Sequence, residues 1–292
     1  MLAALDIAFW NTHLAPRKAK APKGDVSRLE HRIDAAAALL SHILAEPELG
    51  FVGLCEVNED VIECLRSQVP REGWKWHALA ESGGLGFGYD GSRMRWVGSA
   101  ETFRFNAHGR TMNAGTRVDL DLEPESLPLS IILSHWPSRA FGDGEDGERR
   151  RCDCGVILRS VAHDARKHRL RVVLCGDFND EPFSRSIHDW TTRDPTSAVA
   201  KNIIFNPSWA MLSGDLRNLD HPFGTATYAG DTTKWRTVDQ LMVSPELLRG
   251  ELTLVSVRRW DDTLVQNQPT LKKDRFDHVP ISLRLEPRSV LP

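Results

Sequence analysis

The stretch from Arg171 to Pro182 constrains the chain most. Val172, Val173, Leu174 and Cys175 form a continuous apolar, largely β-branched run, the pattern of a strand covered on both faces. Gly176 closes the run, and Asp177, Phe178, Asn179 and Asp180 follow at once. Polar groups delivered by the carboxyl end of a buried strand are held rigidly yet stay open to a cleft, a usual place for chemistry. Asp177 and Asn179 are two apart, so in extended backbone they point the same way, one an acceptor and one an amide. The same residues also suit a strand followed by a plain Asx turn, and by itself the stretch favours neither reading.

The rest of the composition narrows the class. A length of 292 residues fits one large domain or two small ones, and no linker divides the chain. Apolar residues make up 41% and charged ones 26%, the balance of a soluble protein with a sizeable core. Lys and Arg number 37 against 40 Asp and Glu, a formal net charge of −3. No overall positive field attracts polyanions, so any affinity for nucleic acid must come from a local patch. Nine Trp is a large number, which leaves room for some in a binding cleft. Cys55 and Cys175 sit in strand-like runs, and Cys152 with Cys154 lacks the usual zinc spacing, so reduced thiols and a cytoplasmic location are expected. Neither a signal peptide nor a membrane-spanning apolar run is expected.

In order, the chain reads as a strand Leu5–Trp10 ending at Asn11, then a basic loop with Arg17, Lys18, Lys20 and Lys23. Ser27 and Glu30 make a capping box for a helix with Leu29, Ile33, Ala37, Leu40 and Leu44 on one face. Phe51–Cys55 is a second buried strand, and Glu56 follows it ahead of a helix starting near Asn58. Glu56 is thus either a helix-start charge or a ligand. Strands are expected near 74–79, 86–89, 93–98, 116–122 and 129–134, the last leading into His135-Trp136-Pro137-Ser138-Arg139. The glycines from Gly83 to Gly88 lack the following helix of a dinucleotide site and read as turns. A Gly- and acid-rich loop, Gly142 to Gly147, precedes a helix near 148–168. Residues 183–235 are irregular, with Trp190, Trp209 and Trp235, and suggest a substrate-facing insertion. Asp239 lies inside an apolar strand, 237–243, where a charge needs a partner. A strand at 252–257 follows, then Lys272, Lys273 and Arg275, then Asp277-His278, and an alternating strand closes the chain.

Several strands therefore end in groups fit for metal or proton chemistry: Asn11, Glu56, His135, Asp177 with Asn179, and Asp277 with His278. That set, in that order, resembles the endonuclease/exonuclease/phosphatase superfamily of metal-dependent phosphoesterases. The motifs that carry the likeness are Gly176-Asp177-Phe178-Asn179 and Asp277-His278-Val279-Pro280, supported by Glu56 and Asp239. The likeness spans the chain, implying one catalytic domain over 1–292 with the α/β (α+β) fold of the superfamily. That fold is a four-layer α/β/β/α sandwich with two facing, largely antiparallel mixed sheets.

The resemblance implies a function as well. Glu56 is expected to hold a divalent metal, with Asn11 and Asp277 near the ion, and an all-oxygen set suits Mg²⁺ or Mn²⁺. Asp177 and Asn179 are expected to orient water and the scissile phosphate. His278 is expected to transfer protons, with Asp239 setting its tautomer. His135 is expected to pair with Glu81, as in the deoxyribonuclease pattern. Arg139, and Arg150 or Arg151, are candidate phosphate contacts, though a solvated helix start explains the Arg149–Arg151 run equally well. The implied activity is hydrolysis of phosphodiesters in DNA or RNA. The alternative is a lipid headgroup or small phosphorylated molecule as substrate.

Overall fold

The structure is a computed structural model, and it describes residues 3–14, 26–107, 109–139, 145–212, 224–228, 231–260 and 276–288. The basic loop at Arg17–Lys23, the first half of the Gly142–Gly147 loop, and Lys272, Lys273 and Arg275 lie outside the described residues. In chain order the first elements are β1 (Leu5–Asn11), α1 (Val26–Leu44), β2 (Leu49–Cys55), α2 (Glu59–Gln68), β3 (Trp74–Leu79) and β4 (Leu85–Asp90). Then come β5 (Met94–Ala107), β6 (Arg110–Leu122), β7 (Leu127–His135), α3 (Glu145–Lys167) and β8 (Arg171–Asp177). Short elements follow: α4 (Arg185–His188), β9 (Thr191–Thr192), α5 (Pro195–Lys201), β10 (Ile204–Phe205) and a 3₁₀ turn, Pro207–Leu212. The last are β11 (Ala226–Tyr228), β12 (Asp231–Arg236), β13 (Asp239–Val243), α6 (Glu246–Arg249), β14 (Leu252–Arg259) and β15 (Ile281–Pro287).

Period-two alternation builds the layers. On β1, Ile7 and Phe9 face inward with Phe51 and Phe87, meeting Ile131, Leu133, Val173 and Leu241 of the opposite sheet. Ala8 and Trp10 face outward onto Ala36, Leu40 and Ile43 of α1 and Val61 and Leu65 of α2. On the other side Ile132, Leu174 and Met242 bury the apolar face of α3, including Leu158, Ala162 and Ala165. The result is the expected four-layer α/β/β/α sandwich. Each fully buried side chain of this size contributes about 1.5–3 kcal/mol from removal of apolar surface.

The six-stranded sheet runs β14-β15-β1-β2-β4-β3, and the seven-stranded one β5-β6-β7-β8-β13-β10-β9. Two registers place the chemistry. β7 lies parallel to β8 with His135 opposite Asp177, and β13 lies antiparallel to β8 with Asp239 opposite Asp177. One strand's end and its neighbour's start therefore share a rim. Gly176 makes that approach possible, because a Cβ there would come within 2.4 Å of the Ser134 carbonyl oxygen.

Three details differ from the sequence reading. The α1 helix begins at Val26, so Ser27 lies within its first turn rather than at the cap. The β5 and β6 strands are much longer than expected and form an extended hairpin, whose half-exposed alternation had hidden the continuation beyond Gly98. The irregular 183–212 segment supplies β9 and β10 to the sheet edge, and Trp190 packs in the α3 core.

Candidate active site

The rim collects side chains from both sheets. Asn11, the last residue of β1, directs Nδ2 to Asp177 Oδ2 at 3.0 Å and to Glu56 Oε1 at 3.4 Å. Glu56 follows β2 in left-handed backbone, φ 56°. The neighbouring Val57 N–H donates to the Gly84 carbonyl at 3.0 Å, which ties the β3–β4 turn to that unusual residue. His135 ends β7, and its Nε2 lies 3.9 Å from Glu56 Oε1 and 4.0 Å from Asp177 Oδ2. Asp177 is thus the common neighbour, buried at the end of β8.

Asn179 is the second left-handed residue of the rim, φ 52°. Its backbone N–H donates to Asp177 Oδ1 at 2.9 Å, and its Nδ2 to the Trp136 carbonyl at 3.0 Å. The Asx turn foreseen as the plain alternative is therefore present, and it serves to steady Asp177. His278 Nδ1 meets Asp239 Oδ2 at 2.7 Å, while its Nε2 faces Asp177 Oδ2 at 3.9 Å. Burial by itself would lower the His278 pKa. The charge and hydrogen bond of Asp239, with Asp177 and Asp277 nearby, outweigh it and hold the imidazolium well above its ordinary range. The Cys55 thiol behind the rim is pushed up by burial and by the charges of Asp177, Glu56 and Asp239, so it stays an inert thiol.

Other expected members stand differently. Asp277 Oδ1 is engaged by His13 Nδ1 at 3.1 Å. Burial would raise this carboxyl, but the His13 hydrogen bond and the charges of His278 and His13 hold it down at about 2. Glu81 does not pair with His135: its carboxylate is exposed and faces Arg104 Nη1 at 3.7 Å. The cause is the β3–β4 turn, where Asn113 Nδ2 grips the Ser82 carbonyl at 2.5 Å and the Arg104 guanidinium the Glu81 carbonyl. Arg139 braces the 177–180 loop from behind, donating from Nε to the Asn179 carbonyl at 2.8 Å and from Nη2 to Asp180 Oδ1 at 2.5 Å. Arg151 is buried against Asp180 Oδ2 at 3.0 Å, which corrects its reading as a phosphate contact.

The support beneath the loop went unread in the sequence. Ser186 Oγ donates to Asp180 Oδ2 at 2.5 Å, and Gln240 Nε2 to the Asp180 carbonyl at 2.6 Å. The Asn-Asp-Glu run at 179–181 was the available signal, since an acid there needs cations once buried. His13 likewise carried a signal in its spacing, two residues past Asn11.

A sequence profile described as the Endonuclease/Exonuclease/phosphatase family matches residues 110–277. The chain belongs to the endonuclease/exonuclease/phosphatase family. Solved structures of similar fold include the human Nocturnin catalytic domain with bound sulfate, at 14% identity and TM-score 0.62, covering 97% of this chain and 94% of that one. The mannosyl-6-phosphatase Bt3783 of Bacteroides thetaiotaomicron VPI-5482 has 14% identity and TM-score 0.62, over 96% and 99%. D. rerio TDP2 complexed with single strand DNA product has 15% identity and TM-score 0.59, over 97% and 99%. No curated protein sequence matches this chain. The protein is accordingly a phosphoesterase of the endonuclease/exonuclease/phosphatase family, and no described helix is long and apolar enough to cross a membrane.

Within this family member, Asp177, Asp239 and His278 form a compact trio with ligand atoms all within 4.8 Å of one another. With His278 held as an imidazolium, neither ring nitrogen offers a lone pair, which suits proton handling better than metal ligation. The better cation setting is the outer pair, Glu56 and Asp177. Their carboxylates reach one shared donor, Asn11 Nδ2, from two sides. Two carboxylates converging on one neutral N–H donor leave uncompensated negative charge of the kind a hard divalent cation satisfies.

Proposed function

We propose that this phosphoesterase is a divalent-metal-dependent phosphodiesterase whose substrate is DNA or RNA, with the whole chain acting as one catalytic domain. The observation that carries the reading is the Asp239–His278 contact of 2.7 Å, aimed at Asp177 and set beside the Glu56–Asp177 carboxylates. Glu56 would hold Mg²⁺ or Mn²⁺, with Asn11 and Asp277 near the ion, and the cation supplies Lewis-acid stabilisation of phosphoryl charge when bound. Asp177 Oδ2 takes a proton from the attacking water, while Asn179 fixes Asp177 and borders the phosphate. His278 presents Nε2–H to a non-bridging oxygen, and Asp239 holds its other nitrogen so that the ring cannot turn. His135 Nε2, on the opposite side of Asp177, is placed to protonate the leaving alkoxide. Arg139 acts on substrate through the loop it braces. A cytoplasmic location suits the five cysteines, three of which are buried.

The DNA product in the TDP2 structure supports a nucleic-acid substrate by analogy of fold alone. A second reading, a small phosphorylated molecule or lipid headgroup, is favoured by the net charge of −3 and by the mannosyl-6-phosphatase among the structural relatives. Hydrolysis of bis-p-nitrophenyl phosphate and of plasmid or oligonucleotide DNA with Mg²⁺ or Mn²⁺ separates the two. Cleavage of DNA abolished by EDTA is expected. Phosphate release from monoesters alone would move the protein to the second reading, and EDTA-resistant turnover would end the metal-dependent one.

A further inference from the structure

The catalytic loop does not stop at Asp180. It continues through the buried Glu181 and Pro182 into Phe183, a side chain 59% exposed. Among the described residues it is the one large aromatic left in solvent; the other exposed large apolar side chains are Val97, Val156 and Val255. The mechanism above does not use it. An exposed aromatic ring on an otherwise well-packed segment marks a contact surface.

Phe183 is not alone. Its ring lies 6.5 Å from that of Trp209, edge to face, and His188 approaches the same indole at 6.4 Å. The Arg193 guanidinium lies 5.5 Å from the Trp209 ring, within cation–π range. The cluster is rigidly mounted. Ser208, next to Trp209, exchanges hydrogen bonds with the backbone of Leu241 at 3.0 and 3.2 Å, and Asn206 bonds Gln240 at 2.8 Å. Both partners belong to β13, the strand that begins with Asp239. On the other side Arg139 spans from the Asn179 carbonyl to Ser184 Oγ at 3.4 Å, tying Phe183 to the catalytic loop. Asn179 and Phe183 are four positions apart in the chain, a reach of at most about 14 Å.

An aromatic face with a neighbouring cation, fixed beside a phosphodiester-cleaving rim, has one chemistry in common with nucleic acid: stacking on a base. A base within a duplex has both faces covered, whereas an unpaired base offers one. The charge balance points the same way, since duplex binding draws mainly on Lys and Arg contacts and the chain is net −3. We propose that Phe183 and Trp209, with Arg193, form a stacking subsite for an unpaired base of single-stranded nucleic acid beside the scissile phosphate. The subsite rests on the nucleic-acid reading of the active site and specifies it.

The test compares a fluorescent oligothymidylate with an abasic oligomer of equal length and charge, binding measured by anisotropy in EDTA so that metal-dependent cleavage is silent. The wild type is expected to favour the base-bearing strand. Phe183→Ala should weaken that strand by about 5- to 100-fold, the scale of one base–aromatic stack, and leave the abasic oligomer unchanged. Phe183→Trp should restore the preference, and bis-p-nitrophenyl phosphate hydrolysis should be equal in all three proteins. Equal wild-type affinity for both strands overturns the subsite, as does a Phe183→Ala loss shared by both or a preference for duplex. Base-dependent binding without any phosphodiester hydrolysis would sustain the subsite and break the catalytic reading instead.

Discussion

The floor of the rim and its outer wall use the same chemical pair to opposite ends. On the floor, Asp239 and His278 have side chains 1% and 12% exposed; the β8–β13 register fixes Asp239, and a bridge to Ala226 holds His278. On the wall, His13 and Asp277 are 29% and 33% exposed, and the pair joins the loop after β1 to the segment before β15. Farther out, Glu81 and Arg104 are 79% and 47% exposed. Low dielectric makes the floor pair strong and able to hold a proton, whereas water weakens the others progressively. In the proposed mechanism the chemistry belongs with the first pair, and chain closure with the second.

The largest expected effect tests the floor. His278→Ala should cut turnover by about 10²-fold or more with the fold retained, the usual cost of removing one preorganised donor to the developing phosphoryl charge. Asp239→Asn should lose much of the same activity, since an amide can hold the ring but cannot stabilise its charge. The double variant should lose far less than the product of the single losses, because the residues act as a unit. Fully multiplicative losses would remove the pair from the mechanism.

The wall should speak through stability. Asp277 has its folded pKa depressed to about 2. Its contribution is therefore present above its unfolded pKa of about 4 and is lost as the pH falls toward 2. A third of the side chain meets solvent, so the contribution is about 1 kcal/mol. Metal-free Asp277→Asn should melt about 2–4 °C below wild type near neutral pH, and the gap should close on acidification. A gap that persisted at low pH would show that packing, not charge, holds this wall together.

The smallest effect belongs to the outermost pair. Glu81→Gln should leave both turnover and melting close to wild type, because exposed ion pairs contribute about 0–1 kcal/mol. A tenfold loss of turnover would return Glu81 to the site and demand a rearranged β3–β4 turn.

The same gradient explains what the sequence made legible. Asp239 betrayed itself as a charge in an apolar strand, and Asp177 as the residue on which a buried strand ends; both follow from local pattern. Four-layer packing followed from the resemblance, with the alternation along β1 and β8 consistent with it. The pairing of Glu81 with His135 failed, and the partners of Arg139 went unread, because turns and distant loops fix them, which periodicity does not encode. The pairing of Arg139 and Arg151 with Asp180 depends on where α3 lands against β8. The β5–β6 hairpin outran its expected ends because a half-exposed strand has only weak alternation.

Trp10 of β1 donates to the His278 carbonyl, across a separation of 268 residues, and β15 lies hydrogen-bonded beside β1. Asn11 is thus among the first residues of the rim to be synthesised, and His278 is the last. Until Asp277 and His278 have left the ribosome, a nascent chain carries Glu56, Asp177 and Asp239 without the imidazole that Asp239 holds. Closure across so great a contour length is also slow to form by chance encounter. The order of synthesis therefore acts as a safety catch: turnover reports that the β15 end of the domain has been threaded back onto β1.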